Sequence, residues 1–179
     1  MKVLSAFVAL ALAAASVAAQ TPPQKPPLSM TGAINATYQM AKGWIVKSAG
    51  MMSEENYKWQ PTPEVRTFAR LIAHIADDNN VFCGTVIGEK VAFGAVEKSL
   101  GSGSKADLQK ALDDSFLVCE KAFALGEEKL LSETAASVGG VQPKLGVLAF
   151  NNAHIMEHYG NIITYMRLKG LVPPSSGGK

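Results

Sequence analysis

The sequence holds three histidines, His74, His154 and His158, and their spacing is its plainest chemical statement. His154 and His158 lie four residues apart in a stretch of helical periodicity, which puts both imidazoles on one face, roughly 6 Å apart along the axis. Imidazole is a common ligand for zinc, nickel, copper and iron. A pair from one helix joined by a third from another leaves coordination positions open to water or substrate. His74 falls in a second periodic stretch, in line with Leu71 and Asp78 and beside Ile75. Asp77 and Asp78 follow it by three and four residues, as outer partners, an extra ligand, or a solvated acidic face. Asn151 and Asn161 share the face of the histidine pair and are candidates for lining a polar cavity. On spacing alone, three histidines that each bond locally or meet solvent are the alternative reading.

Named metal motifs narrow the chemistry. His154-Ile155-Met156-Glu157-His158 has the HxxEH form of a zinc peptidase, but the residues after His158 include no acid and no histidine to serve as its third ligand. HExxH fails because position 155 is Ile. The Glu-x-x-His pairs of di-iron bundles fail because positions 151 and 155 are Asn and Ile. The sequence contains no GxSxG, P-loop or GxGxxG. Asn35-Ala36-Thr37 matches a glycosylation acceptor but falls inside a helical stretch and carries no weight.

Four periodic stretches must position these groups. Ile34, Tyr38, Ala41, Ile45, Ser48 and Met52 recur at helical steps in a domain that begins near Ser29, and the helix stops before Glu54 to Arg66, where Pro61 and Pro63 break the period. Thr67 is the expected N-cap of a second helix with Phe68, Leu71, Ile72, Ile75, Phe82 and Val86 on one face, ending at Gly88. Ser104 and Asp107 form a capping box for a third, which carries Leu108, Ala111, Leu112, Phe116, Cys119 and Phe123. After an irregular stretch from Gly126 to Pro143, a fourth helix runs from Lys144 to Lys169, stopped by Gly170 and the following prolines. No segment alternates with period two, so the expected class is an all-α four-helix bundle with no sheet.

Ahead of this domain, Lys2, the apolar run from Val3 to Ala15 and the small residues Val17-Ala18-Ala19 read as a signal peptide over residues 1–19, too short to span a membrane. Pro22, Pro23, Pro26 and Pro27 make residues 20–28 an extended tether, and residues 175–179 a short tail after a domain at 29–174. A periplasmic or secreted protein with no membrane span after signal removal is expected. Seventeen Lys plus Arg against fifteen Asp plus Glu gives no electrostatic case for nucleic acid, and 47% apolar with 18% charged residues excludes a disordered chain.

Cys83 and Cys119 are the only cysteines, and in an oxidising compartment they suggest one disulfide rather than two buried thiols. Each lies near the fifteenth residue of its helix. Antiparallel helices would hold them roughly 16 Å apart in height, too far to bridge, whereas parallel helices put them level. Parallel neighbours need a long return, and the seventeen residues from Gly88 to Ser104 reach up to about 56 Å when extended, long and mobile enough to make it.

Two segments carry a family resemblance. Tyr57-Lys58-Trp59-Gln60-Pro61-Thr62-Pro63-Glu64-Val65-Arg66-Thr67-Phe68, leading into Ile72-Ala73-His74-Ile75-Ala76, resembles the entry to the second helix of the DinB-like superfamily. His158-Tyr159-Gly160-Asn161, followed by Tyr165-Met166-Arg167-Leu168-Lys169-Gly170-Leu171-Val172-Pro173-Pro174, resembles the end of its fourth. The resemblance implies an up-down-down-up bundle, often a homodimer, with a divalent metal (Zn, Ni, Mn or Fe) held at positions that fall here on His74, His154 and His158. It also implies kinship with metal-dependent thiol transferases and isomerases. An export signal departs from that pattern, because exported proteins work where thiols tend to be oxidised. The expected function is therefore a metal-dependent hydrolase or thiol or group transferase acting on a small molecule outside the cytoplasm. The alternative is a non-catalytic bundle that holds metal or a ligand.

Overall fold

The computed structural model describes residues 28–177. The expected signal peptide and the prolines of the tether lie outside those residues. Helix α1 (Met30–Met51) starts at Ser29, whose hydroxyl accepts the Gly32 N–H at 3.1 Å, and buries Tyr38, Ala41, Ile45 and Ser48. A short α2 (Glu54–Tyr57) follows. Helix α3 (Phe68–Val86) is capped by Thr67 through the Arg70 N–H and is buried on nearly every side, the position of a central helix. It stops at Gly88, whose φ of 85° is the left-handed conformation that glycine adopts without strain. Helix α4 (Ala95–Leu100) lies within the crossover that follows. Ser104 caps α5 (Lys105–Phe123), accepting the Asp107 N–H at 3.2 Å and donating to the Asp107 carboxylate at 2.7 Å. Helix α6 (Glu127–Ser132) and strands β1 (Thr134–Ser137) and β2 (Gly140–Pro143) lead into α7 (Lys144–Leu168).

Contacts between the four long helices fix their directions. Asn79 bonds Ser115 and Cys83 joins Cys119, so α3 and α5 advance together and are parallel. Phe68 meets Tyr165 and Phe82 meets Phe150, so α3 and α7 are antiparallel. Tyr38 bonds the Phe116 carbonyl while Lys105 reaches the carbonyls of Gly50 and Met52, which makes α1 and α5 antiparallel. This is an up-down-down-up bundle. The Cys83–Cys119 disulfide has a Cα–Cα distance of 4.8 Å, as level positions on parallel helices require. The four apolar stripes meet in one core. Phe68, Ile72, Phe116, Leu148 and Ile162 are fully buried there, each contributing about 1.5–3 kcal/mol by leaving water.

Two expectations need correction. The stretch from Gly126 to Pro143 is not irregular: it holds α6 and a two-stranded antiparallel hairpin in which Ser137 pairs with Gly140. Its strands have four residues each, too few for alternation to register, and Gly140, at φ 98°, takes the left-handed conformation where the chain leaves the Val138–Gly139 turn. The crossover from α3 to α5 is not merely a long mobile return. Helix α4 is pinned to α3 where the Asp77 carboxylate accepts the N–H groups of Val96 and Glu97, both at 2.8 Å. A carboxylate there satisfies donors that a helix N-terminus leaves free.

Candidate metal centre

His74 stands about a third of the way along α3 and His154 and His158 stand on α7, so the antiparallel packing of those helices brings all three rings together. The ring centroids lie 4.9 Å apart for His74 and His158 and 4.5 Å apart for His154 and His158. Asp78, one turn beyond His74, completes the group. Its Oδ2 lies 3.7 Å from His74 Nε2, 3.6 Å from His154 Nε2 and 3.3 Å from His158 Nε2. His154 Nε2 and His158 Nε2 face each other at 3.2 Å.

These distances suit an ion better than they suit hydrogen bonds. Four ligand atoms at the corners of a tetrahedron with bonds of about 2.0–2.2 Å lie about 3.3–3.6 Å apart. The carboxylate of Asp78 is fully buried, and neither of its oxygens has a hydrogen-bond partner. A buried carboxylate left without donors costs several kcal/mol unless a cation compensates it. The donor set of three imidazoles and one carboxylate matches zinc, iron, manganese or nickel. The residues present therefore fit a divalent metal.

Burial, chiefly, holds the His74 pKa below the ordinary imidazole value, with Arg66 and His158 pushing the same way against Asp78 and Glu97. A neutral ring keeps its lone pair for a cation. Phe93 meets His74 edge-on at 5.8 Å and Phe150 stacks on His154 at 5.8 Å, an aromatic wall around the ring cluster. His154 is the most open of the three, its side chain 26% exposed. A cavity of about 460 Å³ reaches His158 and is lined by Glu64, Arg66, Arg70, Glu157 and Asn161.

The candidate residues thus divide. The structure brings His74, His154, His158 and Asp78 together and sets Asn161 on the cavity wall. Asp77 points to α4 instead. Asn151 donates to Asn79 at 3.0 Å and to the disulfide sulfurs at 3.6 Å, so it belongs to the buried polar seam between α3, α5 and α7 rather than to the histidines. A solvated acidic face at Asp77 and Asp78 is excluded, since both are fully buried. Arg66, Arg70 and Glu97 were not legible as site residues: they come from a loop, a helix start and the crossover, and only the fold joins them.

Fold and site define a helical bundle with a histidine and carboxylate cluster between two antiparallel helices. A sequence model of the DinB superfamily matches residues 45–162, more than half of the chain, and the chain belongs to that superfamily. A crystal structure of a histidine-to-alanine mutant of mycothiol-dependent maleylpyruvate isomerase is similar in fold, with a TM-score of 0.65 at 13% identity over 74% of this chain and 60% of that one. A second crystal structure of the mycothiol-dependent isomerase gives 0.63 at 14% identity with the same coverage. The chain thus spans about 60% of the isomerase's length. No curated protein matches the chain. Among the described residues, no helix is long and apolar enough to cross a membrane.

Proposed function

We propose that His74, Asp78, His154 and His158 hold a divalent cation and that the chain is a metal-dependent enzyme, a hydrolase or a thiol or group transferase, acting on a small molecule outside the cytoplasm. One observation carries this reading: a fully buried carboxylate without a hydrogen-bond partner, faced by three imidazole nitrogens at 3.3–3.7 Å. A cation bound there supplies Lewis acidity and lowers the pKa of a bound water or thiol. The chain's own residues do the rest. Arg66 and Arg70 offer guanidinium donors to the cavity, Glu64 and Glu157 offer acceptors, and Asn161 offers both. The open cavity beside His158 favours catalysis over closed metal storage, since a substrate has a way in.

The described cysteines are joined as a disulfide, with none free, so any reacting thiol must arrive with the substrate. The buried disulfide also supports a place outside the cytoplasm, the destination the expected signal peptide specifies. A homodimer rests on the family resemblance alone, and the apolar stripes of the four long helices are spent on the chain's own core. Sedimentation showing only monomer at micromolar protein removes it.

Calorimetric titration of the metal-free protein with zinc tests the central claim. His154→Ala and His158→Ala should each weaken binding at least tenfold by removing one of four ligands. Equal affinity in the wild type and both variants sinks the assignment.

A further inference from the structure

The crossover that carries α4 also carries a carboxylate to the far side of His74. Glu97, 14% exposed, sorts its partners by oxygen. Its Oε1 accepts from Arg70, with Nη2 at 2.7 Å and Nε at 2.9 Å, and faces Arg66 Nε at 3.4 Å. Its Oε2 faces His74 Nδ1 at 3.6 Å. His74 Nδ1 is buried and has no hydrogen-bond partner, and Glu97 Oε2 is the acidic oxygen that faces it. The other ring nitrogen, Nε2, faces Asp78. His74 is therefore held between two carboxylates, one inside the cluster and one outside it.

We infer that Glu97 is a positioning residue for His74: it takes the Nδ1–H of the imidazole, fixes the tautomer that leaves the Nε2 lone pair facing Asp78, and raises the basicity of that nitrogen. This inference rests on the proposed metal site. A ligating imidazole ordinarily gives its second nitrogen to a carboxylate, carbonyl or water, which sets ring orientation and strengthens the donor. The rest of the crossover is built to hold Glu97 in place. Asp77 accepts the Glu97 backbone N–H and fixes the start of α4, and two arginines occupy Oε1 so that Oε2 is left for the ring. Phe93, on the same crossover, meets the ring edge-on. The length of the connection between α3 and α5 thus serves the candidate site as well as the chain's return.

Two variants and two readouts separate this role from a purely structural one. Glu97→Gln keeps an acceptor and loses the charge, whereas Glu97→Ala loses both. Zinc affinity, measured by competition with a chromogenic chelator, should fall about ten- to a hundredfold in Glu97→Gln and at least as far in Glu97→Ala. Long-range proton–nitrogen NMR of the metal-free proteins should find His74 as the Nδ1–H tautomer in the wild type and in Glu97→Gln, and shifted toward Nε2–H in Glu97→Ala. A residue that only clamps α4 would change stability and leave the tautomer alone. Wild-type zinc affinity and an unchanged tautomer in the two variants overturn the inference. If Glu97→Ala does not fold, wild-type zinc affinity in Glu97→Gln overturns it by itself. Wild-type protein that binds no zinc overturns the metal site and this role with it, an outcome distinct from a zinc-binding wild type matched by both variants.

Discussion

Asp77 and Asp78 are consecutive on α3 and both fully buried, yet both oxygens of Asp77 accept backbone N–H groups of α4 while neither oxygen of Asp78 has a hydrogen-bond partner. One residue step turns a side chain by about 100° around a helix axis, enough to send the two carboxylates to different neighbours. The first is satisfied by the fold. The second is left for something the fold does not supply.

Asp78→Asn should therefore separate function from stability. Removing a buried, undonated charge relieves a desolvation cost, so the metal-free variant should be no less stable than the wild type and up to about 2 kcal/mol more stable. Zinc affinity should drop at least tenfold. Urea unfolding of both metal-free proteins checks the first half, and a variant clearly less stable than wild type would show that Asp78 is paired in the native state.

Asp77→Ala should behave in the opposite way. It removes two charge-assisted hydrogen bonds and leaves the N–H groups of Val96 and Glu97 without their acceptor, a loss of about 2–4 kcal/mol. Amide exchange at Val96 and Glu97 should accelerate well before the core of α3 opens. Wild-type exchange rates at both amides would contradict the pinning of α4.

The contrast shows where sequence reasoning reached and where it stopped. Thr67, Gly88, Ser104, Asp107 and Gly170 mark helix ends through chemistry local to a few residues, and the structure places each where its type predicts. The parallel pairing of α3 and α5 was legible because two cysteines had to be level. Helix α4, with six residues, and the hairpin, with four per strand, are shorter than the windows in which periodicity registers. Which of Asp77 and Asp78 meets the histidines depends on how α3 is rotated against α7. Glu97 lies 23 positions from His74 in the chain, a distance that spacing rules do not cover.

Replacing Cys83 and Cys119 together by alanine should cost about 3–4 kcal/mol, since the disulfide closes a separation of 36 residues. The loss includes no metal ligand, so zinc affinity of the folded variant should stay near that of the wild type. Intact mass after alkylation of freshly isolated protein gives a direct check: two alkylated thiols would refute the bond. An unchanged urea midpoint in the double variant would show that the bond adds nothing to stability.

Acid should act on this protein twice through His74. Zinc binding should weaken in acid, because an imidazole must be neutral to ligate, and for His74, whose pKa burial lowers, the loss sets in below the ordinary imidazole value near 6.5. The metal-free fold should weaken as well. Burial lowers the His74 pKa in the folded chain, so the unfolded chain takes up its proton first. Stability from this group is complete above the unfolded value near 6.5 and falls as pH drops toward the lower folded value. Urea midpoints of metal-free protein at pH 8 and pH 5 should differ more in the wild type than in His74→Gln, which has no ring to protonate. Equal pH dependence in the two proteins would show that the His74 ring is as free to take a proton in the folded chain as in the unfolded one.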